Sequence, residues 1–222
     1  RSDQIRFNGN IELFYLHPSY FMPDDNVLKE AGISKRDDFF ILRFVSGMAY
    51  HDNGKKWINT DQKVHIIKLL EKHGRVLITT ERGIEPKLEK WQLKLSPEKI
   101  HHLLYFAKMF VGDSQTMTSE AAILGTPALK CNTFAHQLSI PNMLENKYQL
   151  CFAYQPYEFD RMLQKIGSLL EYRFLKKEWK LRREKFLEDS IDPTKFLVWY
   201  IENYPDSHKI MKENPDYQYR FK

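Results

Sequence analysis

The stretch Met109-Phe110-Val111-Gly112-Asp113-Ser114-Gln115-Thr116-Met117-Thr118-Ser119-Glu120-Ala121-Ala122-Ile123-Leu124-Gly125-Thr126-Pro127-Ala128-Leu129-Lys130 decides the fold. Met109 to Gly112 is a short apolar run of the kind that forms a buried strand, and Asp113-Ser114 ends it. Thr118 to Leu124 reads as a helix closed at Gly125, because glycine adopts the left-handed conformation of a helix C-terminus without a Cβ penalty. Thr126 to Lys130 is the next strand, with Pro127 near its start, where a missing N–H is tolerated. Strand, polar turn, helix, glycine and strand in this order make a βαβ unit.

The same alternation extends outward. Phe39-Phe40-Ile41-Leu42-Arg43-Phe44 reads as a buried strand. Thr60-Asp61 caps a helix whose apolar side is Val64, Ile67, Leu69 and Leu70, ending at Gly74. Arg75 to Thr80 is a β-branched strand, and Ser96-Pro97-Glu98 opens another helix bearing His102, Leu103, Phe106 and Ala107 on its buried side. Beyond Pro156 the pattern is helical: Tyr157 to Leu187, then Pro193 to Tyr204, with Pro205 to Lys222 read as an irregular tail. The expected fold is α/β, a doubly wound Rossmann-like parallel sheet over residues 12–190, with a C-terminal helix and tail over 191–222.

Composition narrows the class. The chain has 222 residues, 42% hydrophobic and 28% charged, enough to bury one sizeable core and unlike a disordered segment. No run of roughly 18 apolar residues occurs, so no spanning helix is expected. A formal charge of +5 is mild and scattered, which gives no reason to expect a nucleic-acid partner. Its richest cluster, Lys176 to Lys185, is interleaved with Glu and apolar residues. That reads first as a solvated helix face and second as an anion or membrane patch. Cys131 and Cys151 stand apart without Cys-x-x-Cys spacing, which favours a reduced, cytoplasmic setting. Arg1-Ser2-Asp3-Gln4 lacks an initiator Met and an apolar signal core, so the chain is expected to be part of a longer polypeptide.

Chemistry concentrates after the third strand. A helix N-terminus leaves backbone N–H groups unpaired and carries about half a positive charge. At the carboxyl end of a parallel strand it forms an anion site, here beside the hydroxyls of Ser114, Thr116 and Thr118, and a diphosphate is the natural guest. Glu120 falls within reach of a ribose diol. The plainer alternative is that the three hydroxyl residues only cap the helix.

The segment resembles the Asp-Ser-x-x-x-x-x-Glu-Ala-x-x-x-Gly-x-Pro signature in the C-terminal domain of UDP-N-acetylglucosamine 2-epimerases and related GT-B glycosyltransferases, matched by Asp113, Ser114, Glu120, Ala121, Gly125 and Pro127. The resemblance implies Ser114, Gln115 and Thr116 on the phosphates and Glu120 on the ribose. Gln115-Thr116 stands where the epimerases carry Gly-Gly. With Tyr15-Leu16-His17-Pro18, Arg43-Phe44-Val45-Ser46 and His51-Asp52, the chain is also similar to an uncharacterised bacterial and archaeal GT-B-like family, whose epimerase-like half follows another Rossmann-like half.

On that resemblance His51 matches the functional histidine of a Thr-x-His-Arg loop and is expected to face the nucleotide sugar as proton shuttle or phosphate donor, with Asp52 orienting it. Arg43, inside an apolar strand, either points to phosphate or pairs with a carboxylate such as Asp113. Glu81 or Arg82 at the next strand end either reaches the ligand or faces solvent. Trp91, Leu93 and Leu95 match the region around the uracil in family members, and core packing is the simpler reading. His101 and His102 point about 100° apart on a helix, so no His-x-x-x-His metal pair forms and no metal is expected. P-loop, Gly-x-Ser-x-Gly and Gly-x-Gly-x-x-Gly motifs are missing from the sequence.

The expectation is therefore the nucleotide-sugar-binding half of a glycosyltransferase-like or epimerase-like enzyme. A UDP-sugar or other nucleotide-sugar is its substrate, there is no separate cofactor, and a missing N-terminal domain completes the cleft. The isolated chain is expected to bind nucleotide weakly and to be inactive. The alternative is a non-catalytic sugar-nucleotide sensor or assembly module in surface polysaccharide synthesis. Peripheral membrane association and homodimerisation through an apolar rim stay open.

Overall fold

The computed structural model describes residues 4–44, 58–80, 83–133, 135 and 139–222, with side chains left aside at 139–141. In chain order its helices and strands are α1 (Leu13–Leu16), α2 (Asn26–Glu30), β1 (Phe39–Arg43), α3 (Thr60–Leu70), β2 (Arg75–Thr79), α4 (Ile100–Phe106), β3 (Met109–Gly112), α5 (Gln115–Leu124), β4 (Ala128–Cys131), α6 (Ser139–Asn146), β5 (Cys151–Tyr154), α7 (Phe159–Glu171), α8 (Leu175–Asp189), α9 (Pro193–Glu202) and α10 (Asp206–Glu213). The five strands form one sheet in the order β2-β1-β3-β4-β5, and every pairing is parallel. This is the α/β Rossmann-like architecture expected from the sequence.

The order has a functional consequence. Crossovers are right-handed, so α3, which returns the chain one way along the sheet, lies on the opposite face from α4, α5 and α6, which carry it the other way. The reversal falls between β1 and β3, and a crevice opens there beyond the carboxyl ends of the two strands. Both β1 and β3 are continuously apolar apart from their last residues, as strands covered on both faces must be. The close approach of these strands fixes Gly112: a Cβ there would collide with the Arg43 carbonyl.

Several boundaries differ from the sequence reading. Asn59, not Thr60, caps α3 in a reciprocal box with Gln62. Ser96 makes no side-chain cap bond; Pro97–Lys99 is a single 3-10 turn leading into α4. The long helix read from Tyr157 breaks at residues 172–174 into α7 and α8. The fifth strand, β5, was not anticipated.

Residues 205–222 are a correction too. They hold α10 and a 3-10 turn at Pro215–Phe221 instead of an irregular tail. Ile191, Phe196 and Met211 form a small second core with Ile5, Phe7, Trp199, Tyr200, Tyr217 and Phe221 packed around it. Trp199 stacks on Tyr217 with ring centroids 4.9 Å apart. The buried Asp192 ties this unit together. It caps α9 through the amides of Thr194 and Lys195 at 3.0 and 3.1 Å, and accepts the Tyr20 hydroxyl at 2.8 Å. Burial works against its charge, yet the Lys195 amide and the Tyr20 hydroxyl hold this carboxyl below the usual range.

Candidate functional site

A cavity of about 550 Å³ opens at the carboxyl edge of the sheet beside the β1/β3 switch point. Arg43 and Thr79, the last residues of β1 and β2, line one side; Ser114, Thr116, Met117 and Glu120 of the α5 segment line another; Leu93, Leu95 and Ile100 supply an apolar wall. The leucines reach this position because Leu93 N–H donates to the Ile78 carbonyl at 2.8 Å, clamping the 3-10 turn Pro86–Trp91 and its exit against the edge of β2. Trp91 instead donates its indole N–H to Glu71 at 2.6 Å.

Helix α5 starts earlier than the sequence suggested. Ser114 is its N-cap, with extended backbone and its hydroxyl accepting from Met117 N–H at 3.5 Å. Asp113 still belongs to the strand side, since its N–H donates to the Arg43 carbonyl at 3.1 Å. The helix therefore begins one residue past the strand exit, and the amides of Gln115 and Thr116 lie in its first turn, where no intrahelical acceptor exists. Thr118 is corrected on the same ground. It sits one turn inside the helix, is buried, and donates its hydroxyl to the Ser114 carbonyl at 2.6 Å, outside the residues lining the cavity. Gln115 turns its side-chain oxygen down to the ammonium of Lys130 rather than toward the cavity. Lys130 is only 1% exposed, and burial lowers its pKa to about 8. Ser114, Thr116 and Glu120 remain together at the opening, with Thr116 and Glu120 four residues apart on one helical face.

Glu120 is held by residues from two other elements. Tyr15 of α1 donates its hydroxyl to Oε1 at 2.9 Å, and His101 Nε2 of α4 lies 3.0 Å from the same oxygen. The two rings pack against each other at 5.5 Å. Neither contact uses Oε2. Glu120 is 7% exposed, and Glu12, equally sequestered, lies close enough to act on it electrostatically. Glu12 Oε2 is buried and has no partner among the described residues; burial first, and the neighbouring Glu120 charge further, raise its pKa. Burial and Glu120 likewise push the Tyr15 hydroxyl well above its usual range, so Tyr15 is a hydrogen-bond donor at any physiological pH. Sequence reasoning missed Glu12, Tyr15 and His101 as site residues, although Tyr15 lies in one of the stretches that carry the family resemblance.

Arg43 lines the cavity at the end of β1 and donates to the Thr79 hydroxyl at 3.3 Å. His51, Asp52, Glu81 and Arg82 lie outside the described residues. His102, expected on the buried side of its helix, accepts the Asp24 N–H at 3.0 Å through Nδ1. No group of three His, Cys, Asp or Glu side chains that could hold a metal gathers among the described residues. Cys131 and Cys151 are buried, and burial raises both thiol pKa values to about 12.

The family model that matches residues 1–192 is described as "Protein of unknown function (DUF354)". The chain belongs to the DUF354 family. No curated protein is similar enough to match it. Among solved structures it is similar to WaaG, a glycosyltransferase involved in lipopolysaccharide biosynthesis, at 11% identity and TM-score 0.56, covering 83% of this chain and 51% of that one. It is also similar to the spinosyn forosaminyltransferase SpnP, at 12% identity and TM-score 0.51, covering 82% of this chain and 48% of that one. A third is the glycotransferase of kitacinnamycin, at 9% identity and TM-score 0.51, covering 78% and 44%. These likenesses establish a glycosyltransferase-like GT-B Rossmann fold for this DUF354 domain, which spans about half the length of the enzymes it resembles. Among the described residues no helix is long and apolar enough to cross a membrane.

Proposed function

We propose that this DUF354 domain binds a nucleotide-activated sugar, as the nucleotide-binding half of a glycosyltransferase or a sugar-nucleotide epimerase. The observation that carries the reading is the opening of α5 onto the cavity at the switch point: the first-turn amides with the Ser114 and Thr116 hydroxyls at one end, and the Glu120 carboxylate about 6 Å along the axis from Thr116 and about 9 Å from Ser114. That separation is on the scale of the reach from a diphosphate to the ribose diol of the same nucleotide. The diphosphate takes the helix N-terminus, where its charge meets the positive end of the dipole. The ribose hydroxyls donate to Glu120, and the base packs on Leu93 and Leu95. Arg43, at the end of β1, supplies positive charge near the phosphates. His51 and Asp52 belong to the catalytic part of this proposal, with a second domain closing the cleft over the sugar. The glycosyltransferase neighbours support the transferase form, and the resemblance of the Asp113-to-Pro127 segment to the epimerase signature supports the epimerase form.

Calorimetric titration of the chain with UDP and the other nucleoside diphosphates tests the reading. Saturable binding, weakened roughly tenfold by Glu120→Ala through loss of a charged hydrogen-bond acceptor, is the expected result. Binding of no nucleoside diphosphate, or binding indifferent to that substitution, contradicts it. In a longer form of the protein with measurable turnover, unchanged turnover in His51→Ala would remove His51 from the mechanism.

A further inference from the structure

The basic cluster of α8 is not absorbed by the nucleotide site, which lies at the other edge of the sheet. The inward side of α8 is fully used: Leu175, Trp179 and Phe186 are buried in the main core. Its outward side, at the corner where α7 turns into α8, is unlike an ordinary solvated helix face. Phe174, the N-cap of α8, is 57% exposed and Leu181, two turns along the same side, is 53% exposed. Arg173, Lys176, Lys177 and Lys180 are exposed around them. The Arg173 guanidinium lies 5.7 Å from the Phe174 ring centroid. The acidic groups near the corner are few. Glu178 is engaged by Arg182 at 2.9 Å, Glu184 is 3.9 Å from Lys180, and Glu171 ends α7.

Behind this corner, Lys176, Lys180 and Arg183 rim a groove of about 270 Å³ floored by Leu124 and Pro127. Pro127 precedes β4, so the groove lies at the amino edge of the sheet. Arg183 is committed there, donating through Nε to the Ile123 carbonyl at 2.8 Å. Part of the charge in the groove thus answers the carbonyl end of α5. Lys177, Phe174 and Leu181 lie outside the groove and cap nothing in it.

We propose that the α7–α8 corner docks on an anionic lipid bilayer surface, with Phe174 and Leu181 entering the interface and Arg173, Lys176, Lys177 and Lys180 facing the lipid phosphates. A bilayer fits this pattern because an aromatic ring and an aliphatic side chain, ringed by cations on a convex helical surface, match the layered polarity of a membrane interface. The charges bring the protein to the surface, and the apolar side chains hold it there. Docked this way, the chain keeps the nucleotide cavity clear of the lipid, since the two lie at opposite edges of the sheet.

Co-sedimentation with vesicles tests this without reference to any nucleotide. The chain is expected to bind vesicles of phosphatidylglycerol and phosphatidylcholine but not phosphatidylcholine alone, and to bind less as salt is raised. The triple variant Lys176→Gln, Lys177→Gln, Lys180→Gln should lose roughly a hundredfold in partitioning, about fivefold per charge. Phe174→Ser should lose less, and its loss should persist when salt is varied. All four positions are exposed, so an unchanged melting temperature is expected and shows that the variants are folded. Equal binding to neutral and anionic vesicles, no binding at low salt, or full retention by the triple variant would overturn the proposal.

Discussion

The two ends of helix α5 are built from similar material and finished in opposite ways. At its C-terminus the carbonyls of Ala121, Ala122 and Ile123 all have protein partners. Gly125 sits in the left-handed region at φ 84°, its N–H bonds to the Ala122 carbonyl at 3.0 Å, Thr126 N–H bonds back to Ala121 at 2.9 Å, and Arg183 covers the Ile123 carbonyl. At its N-terminus Ser114 satisfies one amide at the long distance of 3.5 Å, and the first turn faces a cavity. Protein groups fill the negative end of the dipole, and the positive end opens onto space bordered by hydroxyls and a carboxylate. A helix end finished by its own protein is structural, whereas one left open over a cavity leaves amides available to water or to an anionic ligand.

Substitutions at the two ends sharpen this contrast. The largest effect is expected beneath the open end, at Gly112→Ala. The added Cβ meets the Arg43 carbonyl, which is backbone and cannot move aside, and urea denaturation should show a loss of about 3 kcal/mol. Gly125→Ala at the closed end should lose about 1–2 kcal/mol, from left-handed backbone strain and from contact with Arg183 Cδ at 2.8 Å, with nucleoside diphosphate affinity unchanged. Ser114→Ala should lose about 1 kcal/mol of stability as a cap and should also weaken nucleotide binding. If the two variants weakened binding alike, the distinction between the ends would fail.

Tyr15→Phe should leave stability within about 1 kcal/mol of the parent and weaken UDP a few-fold while leaving pyrophosphate binding unaffected. The phenol orients the carboxylate assigned to ribose and does not touch the phosphates. An equal loss for both ligands would make Tyr15 a general structural residue.

The smallest effect concerns pH. Burial lowers the Lys130 ammonium to about 8 from its usual 10.5, so the unfolded chain binds more protons between those values. Stability should therefore rise with pH across that window, and the rise should disappear in Lys130→Met. A slope unchanged by the substitution would place its origin elsewhere.

What could be read in advance follows the same division between local and distant causes. The strands β1 to β4 announce themselves as apolar runs, and Gly125 stops α5 by its own conformational freedom. β5, no shorter than β3 or β4, does not, because Gln149, with φ 52°, makes the left-handed turn usually given to glycine and no glycine marks the approach to the strand. Residues 205–222 were misread because Pro205 and Pro215 suggested breaks, whereas they stand at helical starts, where proline costs nothing. The start of α5 was misplaced because three hydroxyl residues compete for the cap; the parallel ladder, by holding Asp113 to Arg43, selects Ser114. Ser114, Thr116 and Glu120 could be grouped in advance because they belong to one helix and its cap. Tyr15 and His101 reach Glu120 from α1 and α4 through tertiary packing, which no local pattern encodes.

The central claim is that nucleotide enters at the open end of α5. Amide chemical shifts of the isotopically labelled chain during titration with UDP test it most directly. The account predicts saturable shifts at Gln115, Thr116 and Met117, with Gly125 at the far end of the same helix unmoved. Saturable shifts centred elsewhere, or none at the α5 N-terminus at saturating UDP, would contradict it.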